Sequence, residues 1–87
     1  MKLKEGFLLR QVSDAYVVIA LGDAPIDGVI TLNESGALLW RTIENGADSK
    51  TALIDALLAE YDVTREIAAR DVDSFTEKLR DAGILTD

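Results

Sequence analysis

Apolar positions fall into two regimes along this chain: short runs rich in β-branched residues as far as Leu32, and helically spaced stripes beyond it. Phe7 to Val12 and Ala15 to Leu21 are rich in aliphatic and β-branched residues, and only Ser13-Asp14 separates them. That spacing predicts two antiparallel strands joined by a tight hairpin turn. Gly22-Asp23-Ala24-Pro25-Ile26-Asp27-Gly28 reads as a loop, because its glycines, its aspartates and the only proline favour turn conformations over a ladder. A third strand is expected from Gly28 to Leu32, and the simplest topology is then a three-stranded meander. The middle strand is paired on both sides in such a sheet, which agrees with its apolar residues on both faces.

The two outer strands differ in how well they are guarded. The first is flanked by Lys2, Lys4 and Glu5 and carries Arg10, and charge of this kind discourages unwanted pairing. The third holds no Lys, Arg, Asp, Glu or Pro between Gly28 and Leu32, so its backbone donors and acceptors are expected to stand available to another strand. If Ile30 and Leu32 point to the core, the pleat places Val29 and Thr31 on the opposite face.

Asn33 stops this strand and is a good N-cap, since its side-chain oxygen can accept from the backbone N–H of Ser35 or Gly36. A first helix follows, with Leu39, Trp40 and Ile43 on one stripe, and ends near Asn45-Gly46. Trp40 lies within this apolar stripe and is read as core rather than as a stacking platform. Ser49 can cap a second helix, whose Leu53, Ile54, Leu57, Leu58 and Tyr61 recur on one face. Thr64 can cap a third, with Glu66 near the positive end of its dipole and Gly83 ending it just after Ala82. On that helix Ala68, Val72, Phe75, Leu79 and Ala82 form a continuous seam, so Phe75, Val72 and Leu79 are expected to hold the fold rather than touch a guest. The adjacent stripe is mixed: Ile67, Asp71, Ser74 and Lys78. Ile84-Leu85-Thr86 is expected to pack on the sheet or form a small terminal strand.

The chain has 87 residues, 48% of them hydrophobic, which suits one domain spanning 1–87, with a β-meander over 1–33 and a helical part over 34–87. A net charge of −7 works against binding a phosphate backbone, so nucleic acid is not expected as a partner. With no Cys and no His, the chain lacks thiol nucleophiles, imidazole acid/base chemistry, disulfides and the usual zinc ligands. No catalytic residue, metal site or cofactor is expected, and the chain reads as a non-enzyme. Its amino terminus lacks the apolar core of a signal peptide and Ala15 to Leu21 is too short to span a bilayer, so a soluble, cytoplasmic protein with no membrane partner is expected.

Thr31-Leu32-Asn33-Glu34-Ser35-Gly36-Ala37 leading to Trp40, Leu53 to Tyr61-Asp62-Val63, Asp71-Val72 with Phe75 and Leu79, and Ala82-Gly83-Ile84-Leu85 occur in an order and spacing that resembles the coenzyme PQQ synthesis protein D (PqqD) family. The resemblance implies an α+β, winged-helix-like fold, the RiPP recognition element, with a three-stranded antiparallel sheet followed by three helices. It implies a non-catalytic peptide chaperone, which binds the leader region of a ribosomally synthesised precursor peptide and presents it to a separate modifying enzyme, often a radical SAM protein. The leader would add as a strand beside the third strand, at Val29, Ile30, Thr31, Leu32 and Asn33, and lie against the third helix at Ile67, Arg70, Asp71, Ser74 and Lys78. These residues are shared by proteins serving pyrroloquinoline quinone and by those serving other peptide products, so the product stays open.

Two other classes stand beside this one. A DNA-binding winged helix is suggested by the helix, turn and helix around Tyr61-Asp62-Val63, but Arg65 to Asp81 holds four basic and five acidic residues, the wrong balance for a recognition helix. A self-associating module, a homodimer joined through strand edges, would use the same third strand.

Overall fold

The computed structural model describes residues 1–22 and 30–86. In chain order these form β1 (Lys2–Leu3), β2 (Phe7–Val12), β3 (Ala15–Ala20), β4 (Ile30–Leu32), α1 (Glu34–Glu44), α2 (Lys50–Glu60), α3 (Arg65–Asp81) and β5 (Leu85–Thr86). The order β2-β3-β4, antiparallel throughout, is the expected meander, and the architecture is α+β with the three helices after it. The expected third strand is β4; its described part starts at Ile30, and Gly28 and Val29 lie outside the described residues.

The hairpin closes with Val12 opposite Ala15, and Ser13 takes φ 57° so that two residues suffice to reverse the chain. All three helices start where a short polar side chain can accept from the first turn. Asn33 accepts from the Gly36 N–H at 2.8 Å, Ser49 from Ala52 at 3.2 Å and Thr64 from Ile67 at 3.2 Å. The ends of α1 and α3 share one device. Gly83, at φ 75°, donates to the Arg80 carbonyl while Ile84 donates to Leu79, and Gly46, at φ 113°, donates to Ile43 while Ala47 donates to Thr42. This pair of bonds after a left-handed residue is the Schellman arrangement, which turns the chain sharply and uses orphan carbonyls.

After α3 that sharp turn carries Ile84 into the core, where it is fully buried, and delivers β5 to β1. Lys2, expected only as charge flanking the first strand, lies with Leu3 in a strand of its own that pairs antiparallel with Leu85–Thr86, and the Lys4 N–H donates to the Ile84 carbonyl at 2.6 Å. Two-residue strands carry no period, so nothing local marks the amino-terminal partner.

Val18 and Leu32 from the sheet meet Leu39, Trp40 and Ile43 of α1, Leu53, Ile54 and Leu57 of α2, and Ala68, Val72, Phe75 and Leu79 of α3 in one cluster. The expected stripes therefore face the core, with Leu58, Tyr61 and Ala82 half-buried at its margin. Thr76 is buried too, its hydroxyl donating back to the Val72 carbonyl at 2.9 Å, which satisfies the polar group without leaving the helix.

Candidate functional site

Which backbone groups of β4 face outward follows from the ladder. The Leu21 N–H donates to the Gly6 carbonyl at 2.7 Å, one step beyond the Phe7–Ala20 pair. Hydrogen-bonded pairs alternate in an antiparallel ladder, so Ala15, Val17 and Ile19 turn their backbone groups to β2 while Tyr16 and Val18 turn theirs to β4. Tyr16 stands opposite Leu32, Val17 opposite Thr31 and Val18 opposite Ile30. Ile30 and Leu32 therefore bond inward to β3, and Thr31 points both its N–H and its C=O away from the sheet.

The expectation of a row of available groups from Gly28 to Asn33 is thus narrowed by the described residues. The Asn33 carbonyl accepts from Ala37 as the first turn of α1 closes, and the Thr31 carbonyl accepts from the Lys78 ammonium at 2.9 Å. Among the described residues Thr31 alone offers an outward donor and acceptor on this strand, and its acceptor is held by a side chain from α3.

Beside this edge lies an open groove of about 320 Å³ between β4, the start of α1 and one face of α3. Its walls bring together Thr31, Leu32, Asn33, Asp71, Ser74 and Lys78. Ser35, Gly36, Leu39 and Phe75 complete the lining. Phe75, read as pure seam, is 6% exposed and serves both roles, closing the core with its body and flooring the groove with the remainder. Gly36 is required by close approach, because a Cβ there would sit 3.1 Å from the Asn33 Oδ1 and 3.2 Å from the Leu32 Cβ. A glycine at helix position three, three residues after a capping Asn, was the available signal that helix and strand end meet tightly.

Other residues expected at the site fall elsewhere. Ile30 is half-buried against the core. Ile67, 46% exposed, and Arg70 lie on the solvent side of α3 and do not line the groove. Val29 lies outside the described residues. Asp71 takes part in no ion pair among the described residues, whereas Lys50 pairs with Asp73 and Arg65 with Asp55, all largely exposed. Pairs of that kind add little stability.

A second recess of about 290 Å³ continues the groove past Asn33, Ser35 and Asp71 to Leu57, Tyr61 and Val63. Burial raises the Tyr61 phenol above its ordinary value, and the nearby Glu34 and Glu60 carboxylates and Tyr16 push in the same direction. A raised phenol pKa means the folded chain holds its proton more tightly than the unfolded one. The resulting stability is complete below the unfolded value near 10 and is lost as pH rises through the folded value. Tyr61→Phe is expected to flatten the alkaline loss: between about pH 9 and about pH 11 its urea midpoint should fall less than that of the parent chain. An equal fall would remove Tyr61 as a source.

No helix among the described residues is long and apolar enough to cross a membrane. Nor do the described residues gather three or more metal-binding side chains.

Among solved structures, the chain is similar to TbiB1 in complex with the TbiA(beta) leader peptide, at 24% identity and a TM-score of 0.77, with all of both chains covered. It is also similar to a lasso peptide synthetase B1 complexed with the leader peptide, at 22% identity and the same TM-score, covering 99% of this chain and 96% of that one. At such identities the likeness is one of fold. No curated protein sequence matches the chain. The family model for coenzyme PQQ synthesis protein D (PqqD) matches residues 15–85, from the middle strand of the meander to β5. The chain belongs to the PqqD family.

Proposed function

We propose that this chain is a non-catalytic peptide chaperone that captures the leader region of a ribosomally synthesised precursor peptide and presents it to a separate modifying enzyme, a radical SAM protein in the form the resemblance suggests. The observation that carries this reading is the outward-facing Thr31 backbone pair standing beside a groove whose opposite wall is α3. An extended guest adding there gains main-chain hydrogen bonds from β4, while side chains along it meet apolar Leu32, Leu39 and Phe75 and polar Asp71, Ser74 and Lys78 in the groove lining. PqqD family membership and the two leader-peptide complexes of the same fold support the reading.

The guest contacts proposed are Thr31, Leu32, Asn33, Asp71, Ser74 and Lys78, joined by Ser35, Gly36, Leu39 and Phe75 from the groove lining. Ordering a flexible leader offsets part of the gain, which places the affinity at about 0.1 to 10 μM. Binding of that strength suits a guest that has to be handed on.

The test is a titration of the isotopically labelled full chain with overlapping synthetic segments of the precursor encoded beside its gene, followed by NMR. One segment should shift the Thr31 amide together with Asp71, Ser74 and Lys78. Shifts confined to other faces, or none with any segment, would refute strand capture at β4.

A further inference from the structure

The Lys78 ammonium reaches from α3 to the only outward carbonyl that the described part of β4 presents, 47 residues away in sequence. A guest strand pairing with Thr31 needs that same acceptor for one of its own N–H groups. Asp71 stands on the same wall of the groove and also lines the recess beside Asn33, which neither Lys78 nor Thr31 reaches. Passing from Thr31 to Asn33 along β4 therefore means passing from Lys78 back to Asp71 along α3: strand and helix run in opposite senses. Seven helical residues separate the two charges by about 10 Å.

We propose that Lys78 and Asp71 make this groove selective for a strand of mixed charge, with a basic side chain beside Asp71 and an acidic side chain beside Lys78, and that the Lys78–Thr31 contact is a stand-in which the guest N–H replaces. The proposal rests on strand addition at β4. The outward N–H and C=O of Thr31 can both be used by one guest residue only in an antiparallel pair. Such a guest runs in the same sense as α3, so its basic residue precedes its acidic one. The guest residue opposite Thr31 turns away from the helices as Thr31 does, and its two neighbours turn toward α3. The charged residues therefore sit two or four apart, since side chains on one face of a strand recur every second residue.

The exchange leaves each group satisfied. The guest N–H takes over the Thr31 carbonyl, and the released ammonium meets a guest carboxylate in a charge-assisted bond. Lacking the carboxylate, a guest displaces the ammonium into water and gains less. Lys78→Met keeps the stem and removes the charge, and it predicts opposite effects on two guests. Binding of an acid-bearing peptide should weaken by about three- to tenfold, whereas its acid-to-alanine counterpart should bind the variant at least as tightly as it binds the parent chain.

The experiment selects a randomised twelve-residue peptide display library on the full chain and on its Lys78→Met and Asp71→Asn variants, then measures synthetic winners by fluorescence anisotropy and by the Thr31 amide shift. Winners that move Thr31 should carry a basic residue two or four positions before an acidic one. The acidic preference should vanish with Lys78→Met and the basic one with Asp71→Asn, while both variants keep the parent unfolding temperature. Peptides that move Thr31 but show no such order, show the reverse order, or keep both preferences on the variants would overturn the charge-reading inference and leave strand addition standing. A library yielding no peptide that moves Thr31 would instead overturn strand addition, and this inference with it.

Discussion

Thr31→Pro is expected to lose guest binding by about ten- to a hundredfold while the chain keeps its fold. Proline removes a backbone N–H, and at this position that N–H points away from β3 and makes no bond within the sheet. A proline there therefore costs the meander no ladder bond, yet it takes away the one outward donor that the described part of β4 offers an arriving strand. Losing a main-chain bond and placing a ring in the guest's path together account for about 1.4 to 2.8 kcal/mol. Its neighbour provides the control. Leu32 is buried and bonds inward to β3, so Leu32→Pro should unfold the meander rather than merely blunt its edge. Circular dichroism reports the fold and anisotropy reports the binding. Parent-like affinity in Thr31→Pro would remove β4 as the receiving edge.

Trp40→Ala should lower the unfolding free energy by about 3 to 5 kcal/mol, the cost of emptying a large aromatic site in a packed core. Trp40 is 1% exposed and belongs to the cluster joining the sheet to all three helices. A domain this small holds only about 5 to 10 kcal/mol in total, so the variant should lose a large share of its stability and unfold at a much lower urea concentration. Trp40→Phe should be far milder. The Trp40 Nε1 is buried with no hydrogen-bond partner among the described residues, and phenylalanine removes that unsatisfied donor along with some volume. Urea melts of the two variants test the packing account: both remove the stranded N–H and they differ in the volume removed, so equal losses would show that ring size does not dominate.

The capping residues illustrate what a sequence can state by itself. Asn33, Ser49 and Thr64 each act within three residues of their partners, so the interaction is written in consecutive letters. The same holds for Gly46 and Gly83, whose left-handed geometry ends a helix without help from distant residues. The meander was legible for a related reason, since a two-residue connection leaves antiparallel pairing as the simplest outcome for two adjacent apolar runs.

The groove was legible only in part. Asp71, Ser74 and Lys78 share a helical stripe, and the expectation that they face one surface needed nothing beyond the helical period. Ile67 of that stripe, and Arg70, which the resemblance implied, lie outside the groove lining, because periodicity assigns a residue to a side of the helix but not to the width of the surface that faces the strand. Phe75 was assigned wholly to the core for the same reason. A side chain at the boundary between seam and surface serves both, and only the position of the neighbouring strand decides how much of it remains open.

Local chemistry, acting over a few consecutive residues, determined the strands, the helix starts and stops, and the apolar stripes of this chain. Tertiary structure alone decided that Lys2–Leu3 pairs with the far end of the chain, that the outward bonding groups in the described part of β4 narrow to those of Thr31, and that Lys78 reaches across to hold one of them. The physical reason is common to all three. Ladder phase and long-range pairing depend on how elements dock in space, and docking is set by the sum of many weak contacts in the shared core rather than by any short stretch of sequence.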